Sequence, residues 1–254
     1  MSHDDDPQPR RFAPLEAAPA YVRLAKAIER EIVAGRITPG ERIGTEATLC
    51  EQFGVNRSTV REGIRLLEQS GLLRRDKSRR LYASLPRYGN LATRVSRALV
   101  LHQVTFREIW EASLALETAS AEAAARHATH ADIEALERNL EAMQQTLDDP
   151  ARVAQLDTEF HNLVAKAGQN RVLQLAREPS SLLFAPTLLA ILHTVPAAAG
   201  RNLEAHQRVT EALARRNGET ACDWMRRHIT DWRRGFEMAG RSLDEPVERS
   251  TLDG

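Results

Sequence analysis

Cysteine is almost absent from this sequence, which has 2 among its 254 residues, Cys50 and Cys222. Two thiols so far apart in the chain do not form the disulfide framework of a small secreted domain. Both lie in stretches with a helical pattern. We therefore interpret them as reduced thiols of a cytoplasmic protein.

Long apolar runs are absent as well. No stretch of about 18 apolar residues occurs, as a membrane-spanning helix requires, and the first ten residues are polar and acidic, unlike a secretory signal. We therefore expect a cytoplasmic protein without a membrane span. The sequence has neither a glycine-rich phosphate loop nor a nucleophile elbow, and we do not expect an enzyme.

The chain as a whole has no excess of positive or negative charge, but one region of it does. The formal net charge is zero, yet residues 20–84 contain 13 Lys and Arg against 8 Asp and Glu, whereas residues 91–239 contain 17 against 19. The basic excess therefore lies in the N-terminal third. Such a concentration of positive charge is a modest indication of nucleic-acid binding.

The stretch 53–73 predicts a helix with clear ends. Gly54 favours the left-handed conformation that ends one helix, Asn56 is a good N-cap for the next, and Gly71 is suited to its end. Between the caps, apolar residues recur at helical spacing and form one stripe, namely Val60, Ile64 and Leu67.

The other faces of this helix are polar and basic. They carry Arg57, Ser58, Thr59, Arg61 and Arg65. The N-terminal turn of a helix attracts phosphate, and these side chains can donate hydrogen bonds to phosphates or base edges. The pattern therefore favours DNA binding, although an ordinary solvated surface helix has a similar face.

The surrounding segments complete a small domain over residues 20–84. We expect helices at 20–34 and 45–53, the second with Leu49 and Phe53 facing inward, and a short extended piece within 36–43. Two short strands, 72–75 and 80–84, follow the 56–70 helix. This order predicts a winged helix-turn-helix whose third helix enters the major groove. Residues 1–19 are predicted to be a disordered arm.

The motifs of this domain resemble the GntR family of bacterial transcription regulators. The resemblance lies in IVAGRITPGERI at 32–43 and GVNRSTVREGIRLLEQSGLL at 54–73. It implies operator contacts from Asn56, Arg57, Ser58, Thr59 and Arg61. Two positions depart from the family pattern, because Ala47 replaces an arginine found in some members and a basic turn with Lys77 and Arg79 replaces a glycine in the wing. That turn either contacts phosphates or is merely solvated.

Residues 85–90 have the composition of a linker, and everything beyond them has a helical pattern. We predict an antiparallel bundle of six or seven helices over 91–239, followed by a polar tail at 240–254. Pro179 and Pro186 are expected to interrupt or kink one of these helices. The predicted fold class is mainly α.

A carboxylate and three imidazoles form the second candidate site. Asp157 and His161 are four residues apart and share a helical face, and His206 and His228 lie on the last two predicted helices. The spacing alone is a common accident. However, phrases such as DTEFHNL at 157–163 resemble the helical FCD-type effector domain of the FadR branch of the same family. That resemblance implies that these four residues bind a divalent metal such as Zn, Ni or Mn; the alternative is a metal-free pocket of hydrogen-bonded histidines.

The effector side of this pocket differs from the family pattern. Relatives usually have an arginine at the position of Ser113, four residues before Glu117, and that arginine tends to meet an acidic effector. Its absence weakens the case for a carboxylate. The effector candidates are Arg107, Ser113 and Asn202, with Arg171 and His193 as further options.

These observations predict a ligand-responsive transcription regulator. We expect a homodimer, and a repressor rather than an activator, that binds an inverted repeat in double-stranded DNA and responds to a small metabolite. Two alternatives remain at this level: a metal-dependent, hydrolase-like site in the helical domain, and a DNA-binding dimer that ignores effectors.

Overall fold

The computed structural model describes residues 18–78, 80–86 and 88–247. The predicted arm therefore falls almost entirely outside the described residues, and so do Arg79 and residues 248–254 of the predicted tail. The chain divides into two compact units, Met1–Arg87 and Tyr88–Gly254. Within the described residues it forms ten helices and a three-stranded sheet.

The N-terminal unit is a winged helix-turn-helix, as predicted. Its elements are α1 Ala20–Val33, β1 Arg42–Gly44, α2 Glu46–Phe53, α3 Arg57–Gln69, β2 Leu73–Arg75 and β3 Leu81–Ala83. The three strands are antiparallel in the order β1-β3-β2, so the short extended piece before α2 completes the wing. The prediction of one hairpin thus missed the pairing of β1.

Local sequence signals explain the ends of α2 and α3. Thr45 and Thr48 form a reciprocal capping box at α2, which ends at Gly54 with a φ of +62°, and the Asn56 side chain caps α3. The predicted apolar stripe of α3, Val60, Ile64 and Leu67, is buried. Phe53 is an exception among the predicted core residues, because 37% of it is exposed at the last turn of α2.

Helix α3 packs closely on α1 at Gly63. A Cβ atom built there would lie 2.6 Å from Leu24 Cδ2 and 3.1 Å from the carbonyl oxygen of Tyr21. The missing side chain therefore lets the backbone of α3 approach α1. This contact fixes which face of α3 points away from the core.

The C-terminal unit contains seven helices in its described residues, which confirms the predicted bundle. These are α4 Tyr88–Leu101, α5 Phe106–His127, α6 His130–Gln144, α7 Pro150–Ala167, α8 Arg171–Thr194, α9 Ala197–Ala214 and α10 Gly218–Met238. α4 begins inside the segment predicted as a linker. Pro179 and Pro186 both lie within α8, so neither ends the helix.

α8 is long and apolar enough for a membrane span by length and composition, a test that core helices of bundles also pass. Here it packs against α4, α5 and α7, and Leu183 and Ile191 are fully buried. Its apolar character is therefore explained by the bundle core.

The residues after α10 fold back onto the start of α5. The carbonyl oxygens of Leu243 and Glu245 accept hydrogen bonds from the backbone N–H groups of Arg107 and Phe106, at 2.8 and 3.2 Å. They thereby satisfy donors that a helix N-terminus leaves free. Leu243 and Val247 are buried. Residues 240–247 are therefore packed, although their composition predicted only a polar tail.

Candidate metal centre and DNA-binding surface

The N-terminal turn of α3 is built around Asn56. Its side-chain oxygen accepts hydrogen bonds from the backbone N–H of Thr59 at 2.9 Å and from the hydroxyl of Ser58 at 2.8 Å. Two of the predicted DNA contacts thus also shape the turn that presents the others. Asn56, Arg57 and Ser58 are exposed, and Thr59 is half-buried.

The three predicted arginines of α3 differ in their surroundings. Arg57 makes no ion pair or side-chain hydrogen bond with any described residue, and Arg65 lies 4.0 Å from Glu62. Arg61 Nε donates to Glu46 Oε2 at 3.0 Å. All three are exposed and lie beside the apolar stripe, on the polar side of the helix. They are therefore open to an external partner.

Asp76 organises the turn of the wing in place of a glycine. Its carboxylate accepts hydrogen bonds from the backbone N–H groups of Ser78 and Arg80, at 2.8 and 2.9 Å, and from the Ser78 hydroxyl. These bonds shape the turn and leave Lys77 exposed. Arg79 lies outside the described residues.

The four predicted metal ligands meet inside the helical unit. Asp157 and His161 come from α7, His206 from α9 and His228 from α10, and all four are buried. One donor atom from each lies within 4.8 Å of the others. The bundle therefore brings together residues that are up to 71 positions apart in the sequence.

The spacing of these atoms suits a metal ion. Asp157 Oδ1 lies 3.9, 3.4 and 3.8 Å from the Nε2 atoms of His161, His206 and His228. The His228 nitrogen is 3.0 Å from that of His161 and 3.3 Å from that of His206. Metal–ligand bonds of about 2.0–2.2 Å require donors roughly 3.0–4.4 Å apart.

Hydrogen bonds within the cluster do not satisfy all of its buried polar atoms. Asp157 Oδ2 and His206 Nδ1 are buried and have no partner among the described residues. A single proton on His228 Nε2 can also serve only one of its two imidazole neighbours. A cation among these donors would satisfy the converging lone pairs of the Nε2 atoms and of the Asp157 carboxylate, whereas His206 Nδ1 lies on the far side of its ring. The residues present therefore fit a divalent metal.

A buried acid behind His161 sets the orientation of its ring. Glu117 Oε2 lies 3.0 Å from His161 Nδ1, and Glu117 Oε1 accepts from Arg177 Nε at 2.8 Å. A proton on Nδ1 leaves the Nε2 lone pair for a metal, an arrangement common behind metal-bound histidines. The Phe160 ring stacks on His206 at a centroid distance of 3.7 Å and restricts that ring too.

Burial and neighbouring charges shift the titration of this cluster in opposite directions. Burial lowers the pKa of His228 well below its ordinary value and also lowers the pKa of His206. Burial opposes charge on His161 too, but the Glu117 carboxylate outweighs it and raises the pKa of that imidazole. Burial would raise the pKa of Glu117, yet Arg177 and His161 lower it to about 2.

A narrow cavity adjoins the cluster on the side of α5 and α8. Ser113, Glu117, His161, Arg177 and Ser181 contribute to its lining. The structure therefore brings Ser113 to the cluster, and Asn202 reaches it from α9 by donating to Asp157 Oδ1 at 2.9 Å.

The other effector candidates are elsewhere. Arg107 forms an exposed ion pair with Asp244, at 2.8 Å, on the segment that follows α10. Its side chain thus points toward this returning segment and does not line the cavity beside the cluster, and its role in effector binding stays a prediction. Arg171 and His193 are exposed near the two ends of α8.

Sequence reasoning missed Arg177, which lies at the cavity and is only 3% exposed. Arg177 Nη1 bonds to Asn162 Oδ1 and Nε to Glu117, whereas Nη2 has no partner among the described residues. A signal was available, since a charged residue inside a mostly apolar helix usually has a specific partner. Arg177 thus brings a positive charge from α8 to the cavity that Ser113 also lines.

Comparison with known proteins assigns both units to families. The family of bacterial regulatory proteins named gntR matches residues 20–82, and the FCD domain matches residues 108–231. The two matches cover the winged unit and the part of the bundle that carries the buried cluster. The FCD domain implies a small-molecule effector.

Individual relatives agree with this assignment. The transcriptional regulator LutR of Bacillus subtilis is 29% identical over 201 residues, which are 78% of this chain and 92% of LutR. The transcriptional repressor NanR of Salmonella newport is 27% identical over 165 residues, 64% of each chain. A solved GntR structure from Streptococcus agalactiae has the same fold, with a TM-score of 0.59 at 24% identity, over 84% of this chain and 99% of that one.

These relatives are regulators and not enzymes, so the hydrolase-like alternative is set aside. The chain belongs to the GntR family, with an FCD domain, and is a ligand-responsive, DNA-binding transcription regulator.

Proposed function

We propose that this regulator is a homodimeric repressor located in the cytoplasm. Its affinity for an inverted-repeat operator is controlled by a divalent metal and a small acidic metabolite. The observation that carries the proposal is the convergence of Asp157 and three histidines in the FCD unit. Repression is supported by NanR, a relative that is named a repressor. The DNA-binding domain would span 20–84, with 85–90 as the linker.

Zn, Ni and Mn are the candidate ions, and Asp157, His161, His206 and His228 would hold one of them. Such an ion would supply a Lewis-acid site for an effector oxygen. The protein supplies the rest: Glu117 orients His161, Phe160 orients His206, and Asn202 holds Asp157. The ligands are thus positioned before any ion arrives.

The charge of the cavity favours an anionic effector. Glu117 and Asp157 carry two negative charges against one positive charge on Arg177, and the histidines are ligands in their neutral form. A divalent ion changes this sum from −1 to +1. A monocarboxylate would then neutralise the site, with its oxygens near the free Nη2 of Arg177 and the hydroxyl of Ser113.

The size of the winged unit supports a dimer. One α3 helix reaches only a few base pairs, which is too little to select a site in a genome, and symmetric dimers read two related half-sites. Asn56, Arg57, Ser58, Thr59, Arg61 and Arg65 would contact the major groove, and Lys77 and Arg79 of the wing would contact the backbone or minor groove.

The test uses the purified full-length protein after dialysis against Zn²⁺, Ni²⁺ or Mn²⁺. Metal content is measured by mass spectrometry, and the oligomeric state by light scattering with and without an operator selected from random DNA. Gel shifts then compare acetate, lactate and citrate with their uncharged amides. We expect bound metal, a dimer, and release of DNA by at least one acid.

The matched variant is His206→Ala, which removes a ligand that lies far from the DNA-binding helix in the sequence. It should lose metal and acid response and keep basal DNA binding. A wild-type protein that retains no ion and ignores every acid would instead support the effector-independent dimer. A monomer both free and on DNA would contradict the dimer.

A further inference from the structure

We propose that Glu46 is a positioning residue for DNA readout: it holds Arg61 in one orientation and thereby raises the preference for operator over random DNA. This inference rests on the placement of α3 against DNA proposed above. Glu46 is the first residue of α2, on a different helix from the residues expected to touch DNA.

The Glu46 carboxylate connects three elements of the winged unit. Oε2 accepts from Arg61 Nε on α3 at 3.0 Å, and Oε1 accepts from Nη1 and Nη2 of Arg75 on β2, both at 3.2 Å. Arg75 Nε in turn donates to Glu68 Oε1 at 2.8 Å. Glu46 is itself held by the capped first turn of α2, since Thr45 is the N-cap.

This arrangement leaves the terminal Nη1 and Nη2 groups of Arg61 available for DNA. Its Nε is occupied by Glu46, whereas Nη1 and Nη2 have no partner among the described residues, and 65% of the side chain is exposed. Two parallel N–H groups at the tip can donate to O6 and N7 of a guanine or to a phosphate. An arginine anchored at Nε loses less rotamer freedom when its tip binds.

The Glu46 carboxylate also reduces the nonspecific electrostatic attraction of DNA phosphates to this surface. Arg61, Glu46, Arg75 and Glu68 form a neutral set of two positive and two negative charges. Arg75 uses Nε, Nη1 and Nη2 on the two acids, so fewer of its N–H donors remain for phosphate and its charge is balanced. Because phosphate attraction is independent of base sequence, removing it here favours discrimination.

The experiment separates orientation from charge. An operator is first selected from random DNA by the full-length wild-type protein, and its affinity is compared with that of a scrambled duplex for each variant. Glu46→Asp keeps the charge and the helix-terminal acid but withdraws the carboxylate by about 1.5 Å. Glu46→Gln removes the charge as well. Glu68→Gln is the matched control, since Glu68 touches Arg75 and not Arg61.

We expect Glu46→Asp to lower the ratio of operator to scrambled affinity about 3- to 10-fold. Glu46→Gln should lower the ratio similarly while raising the affinity for scrambled DNA. Glu68→Gln should raise both affinities alike and leave the ratio unchanged. In an Arg61→Ala background the effect of Glu46→Asp should vanish, which a merely structural role would not produce. Thermal unfolding of each variant confirms that it is folded.

Three results would overturn the role of Glu46: a wild-type ratio in Glu46→Asp, equal ratios for Glu46→Gln and Glu68→Gln, or an undiminished Glu46→Asp effect without Arg61. A different result would overturn the placement of α3 and this inference with it. That result is a wild-type protein that selects no sequence, or an Arg61→Ala variant that selects the same operator.

Discussion

The two polar sites of this protein both contain arginine, but in opposite surroundings. On α3, arginines are exposed and come from one short segment, 57–65. Inside the bundle, the acids, histidines and Arg177 are buried and come from α5, α7, α8, α9 and α10. The α3 site is an exposed surface accessible to a partner, and the site in the bundle is a set of charged and polar groups excluded from water.

Two ion pairs make the difference quantitative. Arg61 meets Glu46 at 3.0 Å with 65% and 26% of the side chains exposed, whereas Arg177 meets Glu117 at 2.8 Å with 3% and 8% exposed. The distances are similar, but water screens the first pair and is excluded from the second. Burial therefore determines how much each acid contributes to the free energy of unfolding. It also determines whether each arginine is accessible to an external partner.

The largest expected effect comes from breaking the buried pair. Glu117→Ala leaves Arg177 as an unpaired buried cation and His161 Nδ1 without an acceptor, and we expect a loss of about 3–5 kcal/mol in the free energy of unfolding. Urea denaturation of the metal-free protein measures it.

The control for this variant lies on the same helix. Glu122 pairs with Arg126 at 2.6 Å, with side chains that are 52% and 58% exposed. Glu122→Ala should change the free energy of unfolding by no more than about 0.5 kcal/mol. Equal losses in the two variants would show that burial does not separate these pairs.

Zinc should sharpen the comparison, because we propose that it binds at the buried cluster and not on α3. At a concentration 100 times its Kd, it should stabilise the folded protein by about 2.7 kcal/mol. His206→Ala should abolish this increment, whereas His130→Ala, at a largely exposed position, should retain it. Thermal unfolding with and without zinc gives the increment.

The increment should also depend on pH with a definite sign. The Glu117 carboxylate raises the pKa of His161, so a proton competes with the metal for Nε2 at and somewhat above the ordinary pKa of about 6.5. His206 and His228 have lowered pKa values and are neutral there. Zinc stabilisation should therefore grow as the pH rises through the pKa of His161 and fade below it. An increment independent of pH between 5 and 8 would contradict this.

Arginines on the exposed site should affect binding and not folding. Arg57→Ala and Arg61→Ala should each weaken operator binding by about 1–3 kcal/mol, because each removes one base or phosphate contact. Their unfolding curves should match the wild type. Arg226→Ala, on the surface of the helical unit, is the control. Unchanged operator affinity in both α3 variants would refute the proposed recognition helix.

The smallest effect is expected in the wing. Lys77 is exposed at a turn that Asp76 already shapes, so Lys77→Ala should leave the turn intact and remove one phosphate contact. Binding to operator and random DNA should weaken alike, and the slope of log affinity against log salt should fall by about 0.9. A selective loss of operator binding would instead indicate base contact by the wing.

Local signals were sufficient for α3 of the winged unit, though not for the pairing of β1. The cap at Asn56, the stripe from Val60 to Leu67 and the glycines at both ends act within a few residues, so the sequence alone predicted α3 and its polar face. A bundle of six or seven helices was predicted in the same way from periodicity and stop signals, and the described residues form seven. The four residues of the buried cluster were singled out by residue type and spacing, but only the family resemblance made metal binding the favoured interpretation.

Tertiary structure decided the features that depend on distant segments. The exposure of Phe53, the return of residues 240–247 to α5, and the pairing of Arg107 with Asp244 all follow from which surfaces meet, and no local pattern encodes that. The same holds for Arg177, which brings a positive charge from α8 to the cavity that Ser113 lines from α5. Periodicity reports which face of a helix is apolar, but only packing determines which helix covers it and which polar groups are buried together.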